Sequence, residues 1–300
     1  MTMEITLGPL LFFWPKAQVQ AFYRDACSWP VDRVYLGETV CSKRRQLTLD
    51  DWLDIADQLH GAGKTVVLST LALLEAASDT AMLKRICSNG RFEVEANDMA
   101  AVQVLSELGV PFTTGPQVNI YNGHTLKELV ACGLQRWVLP LELSEHDLRT
   151  ILAQADQLGI SEQITTEVFV WGLMPLAASA RCFTARAHNL PKDQCQFVCL
   201  QYPEGLPVFS QERDRVFTLN GIQTMSGRCM DISSQAPQLA NVGVQAVRIS
   251  PQPEDTLAVV EYLRARLSGE QAKAPMHGAD RCDGYWYGQA GMIPLTTIQI

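Results

Sequence analysis

Three cysteines of this 300-residue chain lie close together. Cys182, Cys195 and Cys199 fall within the segment SARCFTARAHNLPKDQCQFVCL, and only three residues separate the last two. Zinc ions and iron–sulfur clusters are held by thiolates, and such sites need several sulfur atoms that converge on one centre. Pro191 and the polar residues around it would let the chain double back. The spacing predicts a metal site, although three neighbouring buried thiols could give the same pattern.

Three other cysteines are candidates for the fourth ligand. Cys41 lies in GETVCSKRR just beyond the second predicted strand, Cys229 lies in MSGRCMD, and Cys282 lies near the C-terminus. If the strands form a barrel, Cys41 and the cysteine-rich segment both follow strand ends that open onto the same mouth. This topology points to Cys41, but spacing alone also allows Cys229 or Cys282.

Four thiolates can hold either tetrahedral zinc or a [4Fe-4S] cluster, and their spacing does not decide between the two. Irregular gaps and a remote fourth ligand differ from the two compact C-x2-C pairs of a zinc ribbon.

Cys27, Cys87 and Cys132 lie within or at the ends of predicted helices and have no partner at ligand spacing, so we interpret them as buried or helix-end thiols.

The elements that position these cysteines alternate between short β-rich runs and amphipathic helical segments. This alternation favours a (β/α)8 TIM-like barrel, a single domain over residues 1–300. The interval 172–244, between the seventh and eighth strands, is too long for one loop and helix, so we expect an inserted cluster-binding segment there. Residues 275–300 form a predicted C-terminal tail. The eight predicted strands are Ile5–Leu7, Arg33–Gly37, Thr65–Ser69, Phe92–Ala96, Pro111–Gly115, Gln135–Leu139, Thr166–Trp171 and Gln245–Ser250.

Composition restricts the classes of function. The chain has 47% hydrophobic and 19% charged residues and a net charge of -8, so a globular fold is expected and nucleic-acid binding is not. The N-terminus has no signal-peptide pattern, and no apolar run reaches the length of a transmembrane helix. These features predict a cytoplasmic chain without a transmembrane segment, in which structural disulfides are improbable.

Other reactive side chains give weaker signals. The five histidines have unrelated contexts, no H-E-x-x-H motif occurs, and no nucleophile–base pair is recognisable, so catalytic residues stay unknown. Glu38 and Glu167 could act as acid–base groups or form buried ion pairs with arginines. Five cations flank the ligand cysteines, where they could offset cluster charge, bind a carboxylate or be solvated surface residues: Lys43, Arg44, Arg45, Arg181 and Arg186.

The runs E-V-F-V-W-G at Glu167–Gly172 and S-A-R-C at Ser179–Cys182 resemble the motif of the collagenase-like peptidase family. The chain is most similar to the ubiquinone-biosynthesis branch of that family, and the similarity covers nearly the whole sequence. Peptidase-type members have another cysteine at the position of Pro175 and a glycine at that of Ala180. The resemblance implies a (β/α)-barrel with a [4Fe-4S] cluster on Cys41, Cys182, Cys195 and Cys199.

This branch implies a role in oxygen-independent hydroxylation of the ubiquinone precursor ring. The expected partners are a homologous UbiU-like subunit, forming a heterodimer, and a lipid-carrying accessory protein. A zinc-stabilised scaffold without redox chemistry is the alternative, and proteolysis is less expected because of the substitutions noted above.

Overall fold

A computed structural model describes residues 3–275 and 281–293, in which eight parallel strands close into a barrel with alternating helices. Each barrel strand pairs with the next one in sequence. The last barrel strand, Ala246–Ile249, pairs with both the seventh, Thr165–Ala178, and the first, Glu4–Leu7. The chain thus has the predicted (β/α)8 TIM-like fold. The barrel strands are β1 (Glu4–Leu7), β2 (Arg33–Leu36), β3 (Thr65–Ser69), β4 (Glu93–Ala96), β5 (Phe112–Thr114), β6 (Leu134–Val138), β7 (Thr165–Ala178) and β11 (Ala246–Ile249).

The helices surround the barrel, and their starts are set by local capping. Thr48 and Ser144 each form a capping box with the aspartate three residues later, which satisfies backbone N–H groups of the first turn. No helix in the described ranges is both long enough and apolar enough to cross a membrane. The helices are α1 (Lys16–Ala26), α2 (Leu49–Gly61), α3 (Ala77–Cys87), α4 (Met99–Leu108), α5 (Gly123–Ala131), α6 (Glu145–Gln157), α7 (Phe183–Ala187), α8 (Ala236–Leu239) and α9 (Thr256–Leu267).

The segment between β7 and β11 adds an antiparallel sheet to the barrel. The seventh strand was expected to end at Trp171, but β7 continues to Ala178 because β10 (Gln223–Asp231) pairs with its second half. Beyond β10 lie β9 (Arg215–Asn220) and β8 (Leu206–Phe209). The long interval therefore begins inside a strand rather than in a loop.

Part of the predicted tail returns to this sheet. β12 (Arg281–Cys282) pairs in parallel with β10, and Cys282 and Trp286 are buried. Residues 276–280, which include His277, and residues 294–300 lie outside the described part of the chain.

Candidate metal centre

Four cysteines from two distant parts of the chain line one narrow cavity. They are Cys41, which follows β2, and Cys182, Cys195 and Cys199, which follow β7. Each of the four is half-buried. Cys229 on β10 and Cys282 on β12 do not line this cavity. The structure therefore brings together the four cysteines predicted as ligands and leaves the two competing cysteines elsewhere.

The backbone turn that carries Cys41 is held by a carboxylate. Glu38 Oε1 accepts hydrogen bonds from the backbone N–H groups of Val40, at 2.9 Å, and of Cys41, at 3.0 Å. Burial raises the pKa of Glu38, while Arg44 and these two N–H groups oppose the rise. The carbonyl of Cys41 accepts the N–H of Arg44 at 2.9 Å, which continues the turn. Oε1 of Glu38 thus orients the turn that carries Cys41.

Cys182 is the N-cap residue of α7, and its sulfur accepts the N–H of Ala185 at 3.4 Å. Gly221, at the β9–β10 turn, fixes this short helix: its carbonyl accepts the N–H of Phe183 at 3.0 Å, and its own N–H donates to Thr184 Oγ1 at 2.9 Å. Gly221 has φ +69°, and a Cβ there would lie 2.9 Å from Arg44 Nη2. The position therefore favours glycine for both its conformation and its surroundings.

The C-x3-C pair does not lie on one helix. Cys195 follows a 3-10 turn, Lys192–Gln194, and Cys199 lies in a second one, Val198–Gln201. Between them Gln196 and Phe197 have positive φ values of 49° and 54°. Consecutive left-handed residues without a glycine are rare and mark a locally strained backbone, as is common at binding sites. This bend places both sulfurs on the same cavity.

Arg44 is a buried cation beside the cysteines. Its guanidinium donates to the carbonyl of Leu11 and to Asn220 Oδ1, each at 2.7 Å, and lies over the ring of Phe13. Its Nε has no hydrogen-bond partner among the described residues. Burial raises the pKa of Cys199, and the charge of Arg44 counteracts that rise. Arg44 therefore favours negative charge at the cysteines.

The other predicted cations divide into two groups. Lys43 lines the cavity and donates to Asp193 Oδ1 at 2.8 Å, which joins the Cys41 turn to the cysteine-rich segment. Lys192, which was not among the predicted cations, also lines the cavity and pairs with Glu75 in the β3–α3 loop. In contrast, Arg45, Arg181 and Arg186 are exposed and do not line this cavity. Only part of the cationic cluster read from the sequence therefore faces the cysteines.

The donor set suits a thiolate-held cluster. Four thiols converge, and a buried guanidinium and a lysine ammonium stand beside them to offset the negative charge that four thiolates would bring. Within the described ranges, no group of three or more His, Cys, Asp or Glu side chains is arranged to hold a metal ion.

Glu167 lies inside the barrel, away from the cysteines, and is fully buried. It accepts hydrogen bonds from Thr6 Oγ1 at 2.7 Å, Tyr35 Oη at 2.8 Å, Arg136 Nη1 at 3.1 Å and Arg248 Nε at 2.5 Å. Burial raises the pKa of Glu167, but the two guanidiniums outweigh it and hold the pKa at about 2. Of the two roles open from the sequence, the structure supports the buried ion pair.

Cys27 follows the last residue of α1, Cys87 ends α3 and Cys132 follows α5, as expected for helix-end thiols. Gly221 and Phe197 were not recognised from the sequence as part of the site. The asparagine–glycine pair of LNGIQ is a turn signal that could have pointed to Gly221. Nothing in QCQFVC indicates a left-handed phenylalanine.

Several solved structures show weak similarity to this chain. An uncharacterized B. cereus protein is 12% identical with a TM-score of 0.45, and the match covers 88% of this chain but only 65% of that protein. A structure described as native KDPGal is 7% identical with a TM-score of 0.45, over 88% and 92% of the two chains. The spore cortex-lytic enzyme SleL of Bacillus megaterium is 8% identical with a TM-score of 0.42, over 91% and 75%.

The comparison with sequence families is more informative. The profile of peptidase family U32 matches residues 20–270, which include the barrel strands from β2 to β11 and all four clustered cysteines. This match covers most of the chain and agrees with the resemblance found in the motifs around Glu167 and Cys182. The chain belongs to peptidase family U32.

Proposed function

We propose that this chain is a UbiV-like iron–sulfur subunit of an oxygen-independent ring-hydroxylating system in ubiquinone biosynthesis. In this proposal a [4Fe-4S] cluster is bound by Cys41, Cys182, Cys195 and Cys199. The main support is the convergence of these four cysteines on one cavity although 141 positions separate Cys41 from Cys182. The motifs shared with the ubiquinone-biosynthesis branch provide the substrate class.

When bound, such a cluster supplies one-electron transfer. The chain's own residues hold and adjust the site: four thiolates bind, Glu38 orients the Cys41 turn, and Arg44 offsets negative charge. These are supporting roles, and no described side chain is assigned as a proton donor or acceptor for a reacting ring.

A hydroxylation also needs an oxygen donor, electrons and a bound ring, and one cluster does not provide all three. We therefore propose that the chain forms a heterodimer with a homologous UbiU-like subunit in the cytoplasm. The interface should bury more than about 1,000 Å² and be formed by barrel surfaces. Because the ubiquinone precursor has a long isoprenoid tail, a lipid-carrying accessory protein would present the ring.

Co-expression of the two chains followed by size-exclusion chromatography with light scattering tests the assembly. We expect a stable 1:1 complex, and the accessory protein should be dispensable when a tail-less ring is supplied. A chain that stays monomeric or homodimeric beside its partner, and hydroxylates the ring alone, would refute the two-subunit proposal.

Anaerobic purification tests the cofactor. The protein should be brown with broad absorption near about 400 nm and contain iron and sulfide, whereas colourless protein with stoichiometric zinc would support the zinc scaffold instead. Changing any one of the four cysteines to Ala should cut iron content sharply. Cys229→Ala and Cys282→Ala are the matched controls because both thiols lie outside the cavity. Full iron in Cys41→Ala together with iron loss in a control would reject the ligand assignment.

A further inference from the structure

A large cavity separates α2 from α3 on the outside of the barrel. Its volume is about 490 Å³, within the range of small-molecule binding sites. Most of its wall is apolar, with side chains from both helices and from the β3–α3 loop, including Trp52, Leu71, Leu74, Met82 and Ile86.

The two helices that flank this cavity pack against other helices rather than against each other. α1 packs against α2 and α3 packs against α4, whereas α2 and α3 have few direct contacts with each other. In a regular barrel, neighbouring helices cover each other's apolar faces. Here the gap leaves half-buried apolar side chains, among them Leu47, Leu74 and Ile86, facing open space. An apolar ligand of matching size would remove this surface from water.

Polar side chains line this cavity at the carboxyl ends of β2 and β3, along the β2–α2 segment and on α3. Glu38, Ser69 and Thr70 lie at the strand ends, and Arg44 lines both this cavity and the cysteine cavity. Glu38 also holds the backbone of Cys41. Glu38 and Arg44 therefore place one polar part of the cavity next to the proposed cluster. Between the helices the wall is mostly apolar, although Asp50, Asp79 and Arg85 also line it.

Among the described residues, side chains fill the centre of the barrel mouth, and the other cavity of comparable size, about 460 Å³, lies beside α4 and α5. Arg248 bridges Glu95 and Glu167 there, at 2.6 Å and 2.5 Å. The remaining cavity, lined by Arg248 and Asn97 among others, has a volume of about 20 Å³, enough for about one water molecule. The usual ligand site of a TIM-type barrel is thus filled by side chains, which leaves the α2–α3 cavity as the larger space beside the cysteines.

We propose that the α2–α3 cavity binds an alkyl-substituted phenol, with the hydroxyl group towards Glu38 and Arg44 and the apolar substituent between the two helices. A phenol can donate to a carboxylate and accept from a guanidinium, and its ring and alkyl group match the apolar walls. The biological role of this site rests on the proposed function, in which it would hold the ring to be hydroxylated. The binding itself is independent of that function.

Calorimetric titration with 4-propylphenol, 4-butylphenol, 4-pentylphenol and 4-hexylphenol tests the site. We expect saturable 1:1 binding that tightens about threefold to fourfold with each added methylene, as burial of each group predicts. Met82→Trp and Leu74→Trp should fill the cavity and weaken binding at least tenfold. Met82 is partly exposed, so Met82→Trp should fold even if Leu74→Trp does not.

Met99→Trp is the matched control because Met99 lines a different cavity, beside α4 and α5. It should leave phenol binding unchanged, and all three variants should keep the iron content of the parent protein. The proposal would be overturned if the parent protein showed no saturable phenol binding. It would also be overturned if Met82→Trp, and Leu74→Trp where it folds, bound the phenols as tightly as the parent protein, or if only Met99→Trp lost binding. Iron loss in the cysteine variants tests the proposed function separately, so the two can fail independently.

Discussion

The carboxylate of Glu38 accepts the backbone N–H of Cys41 at 3.0 Å. Since the same oxygen accepts the N–H of Val40, one side chain satisfies two donors in the turn that leads out of β2. A backbone fixed in this way presents the Cys41 sulfur to the cavity at a defined position. The interaction links the barrel strand to the proposed ligand, so the position of Cys41 depends on a residue that lies three positions earlier.

Glu38→Ala should therefore reduce iron content and destabilise the protein by about 1–3 kcal/mol, because two partly buried N–H groups lose their acceptor. Glu38→Gln should have a smaller effect, since its amide oxygen can still accept. Iron analysis and urea unfolding measure the two effects. Glu107→Ala, which removes an exposed carboxylate on α4, is the control and should change neither quantity. Normal iron and stability in Glu38→Ala would contradict the orienting role.

Much of the barrel was predictable because its strands are short, apolar and regularly spaced. The end of β7 was not, because residues 172–178 become a strand only by pairing with β10, about 50 positions later, whose sequence QTMSGRCMD has no clear strand pattern. Barrel topology pointed to Cys41 as the cysteine near the later three, but the sequence also left Cys229 and Cys282 open. The positive φ of Phe197 and the gap between α2 and α3 could not be predicted, since both depend on packing rather than on local propensity.

Glu167 should be essential for stability. Its removal would leave Arg136 and Arg248 short of a buried counter-charge, which typically costs about 3–5 kcal/mol. We expect Glu167→Gln to lower the urea midpoint accordingly. Glu145→Gln, which breaks an exposed pair with Arg149, should cost less than about 1 kcal/mol. Equal effects of the two substitutions would show that the interior network contributes little.

The pH dependence of the Glu167 contribution follows from its lowered pKa. A carboxyl group whose folded pKa of about 2 lies below its ordinary value of 4.5 stabilises the fold above pH 4.5 and loses this effect as the pH falls towards 2. The stability difference between the parent protein and Glu167→Gln should therefore be constant from pH 5 to 8 and shrink below pH 4. A difference that grows in acid would contradict the ion-pair interpretation.

Gly221→Ala should affect both the fold and the cysteine site. The substitution forces an L-residue into φ +69° and places a Cβ 2.9 Å from Arg44 Nη2. Gly159→Ala is a close control, because Gly159 has φ +70° but no neighbouring atom within 4 Å of such a Cβ. Both variants should lose about 1 kcal/mol from backbone strain. Only Gly221→Ala should lose additional stability and also lower the iron content. Equal losses of stability in the two variants, with unchanged iron in Gly221→Ala, would reject the steric argument.

Asp283 should make the protein less stable as the pH rises from 4 to 7. Burial, and then the nearby charge of Asp231, raise the pKa of Asp283 from 3.8 to about 6, and its Oδ1 has no hydrogen-bond partner among the described residues. Between these two pKa values the folded state binds more protons than the unfolded state, so the free energy of unfolding falls with increasing pH. Asp283→Asn removes this titration. The free energy of unfolding of Asp283→Asn minus that of the parent protein should therefore increase by about 1–3 kcal/mol between pH 4 and pH 7.

Urea unfolding at both pH values measures this difference in the free energy of unfolding. Asp54→Asn, on the exposed face of α2, is the control. A pH-independent difference between Asp283→Asn and the parent protein would show that the carboxyl group titrates normally in the folded state.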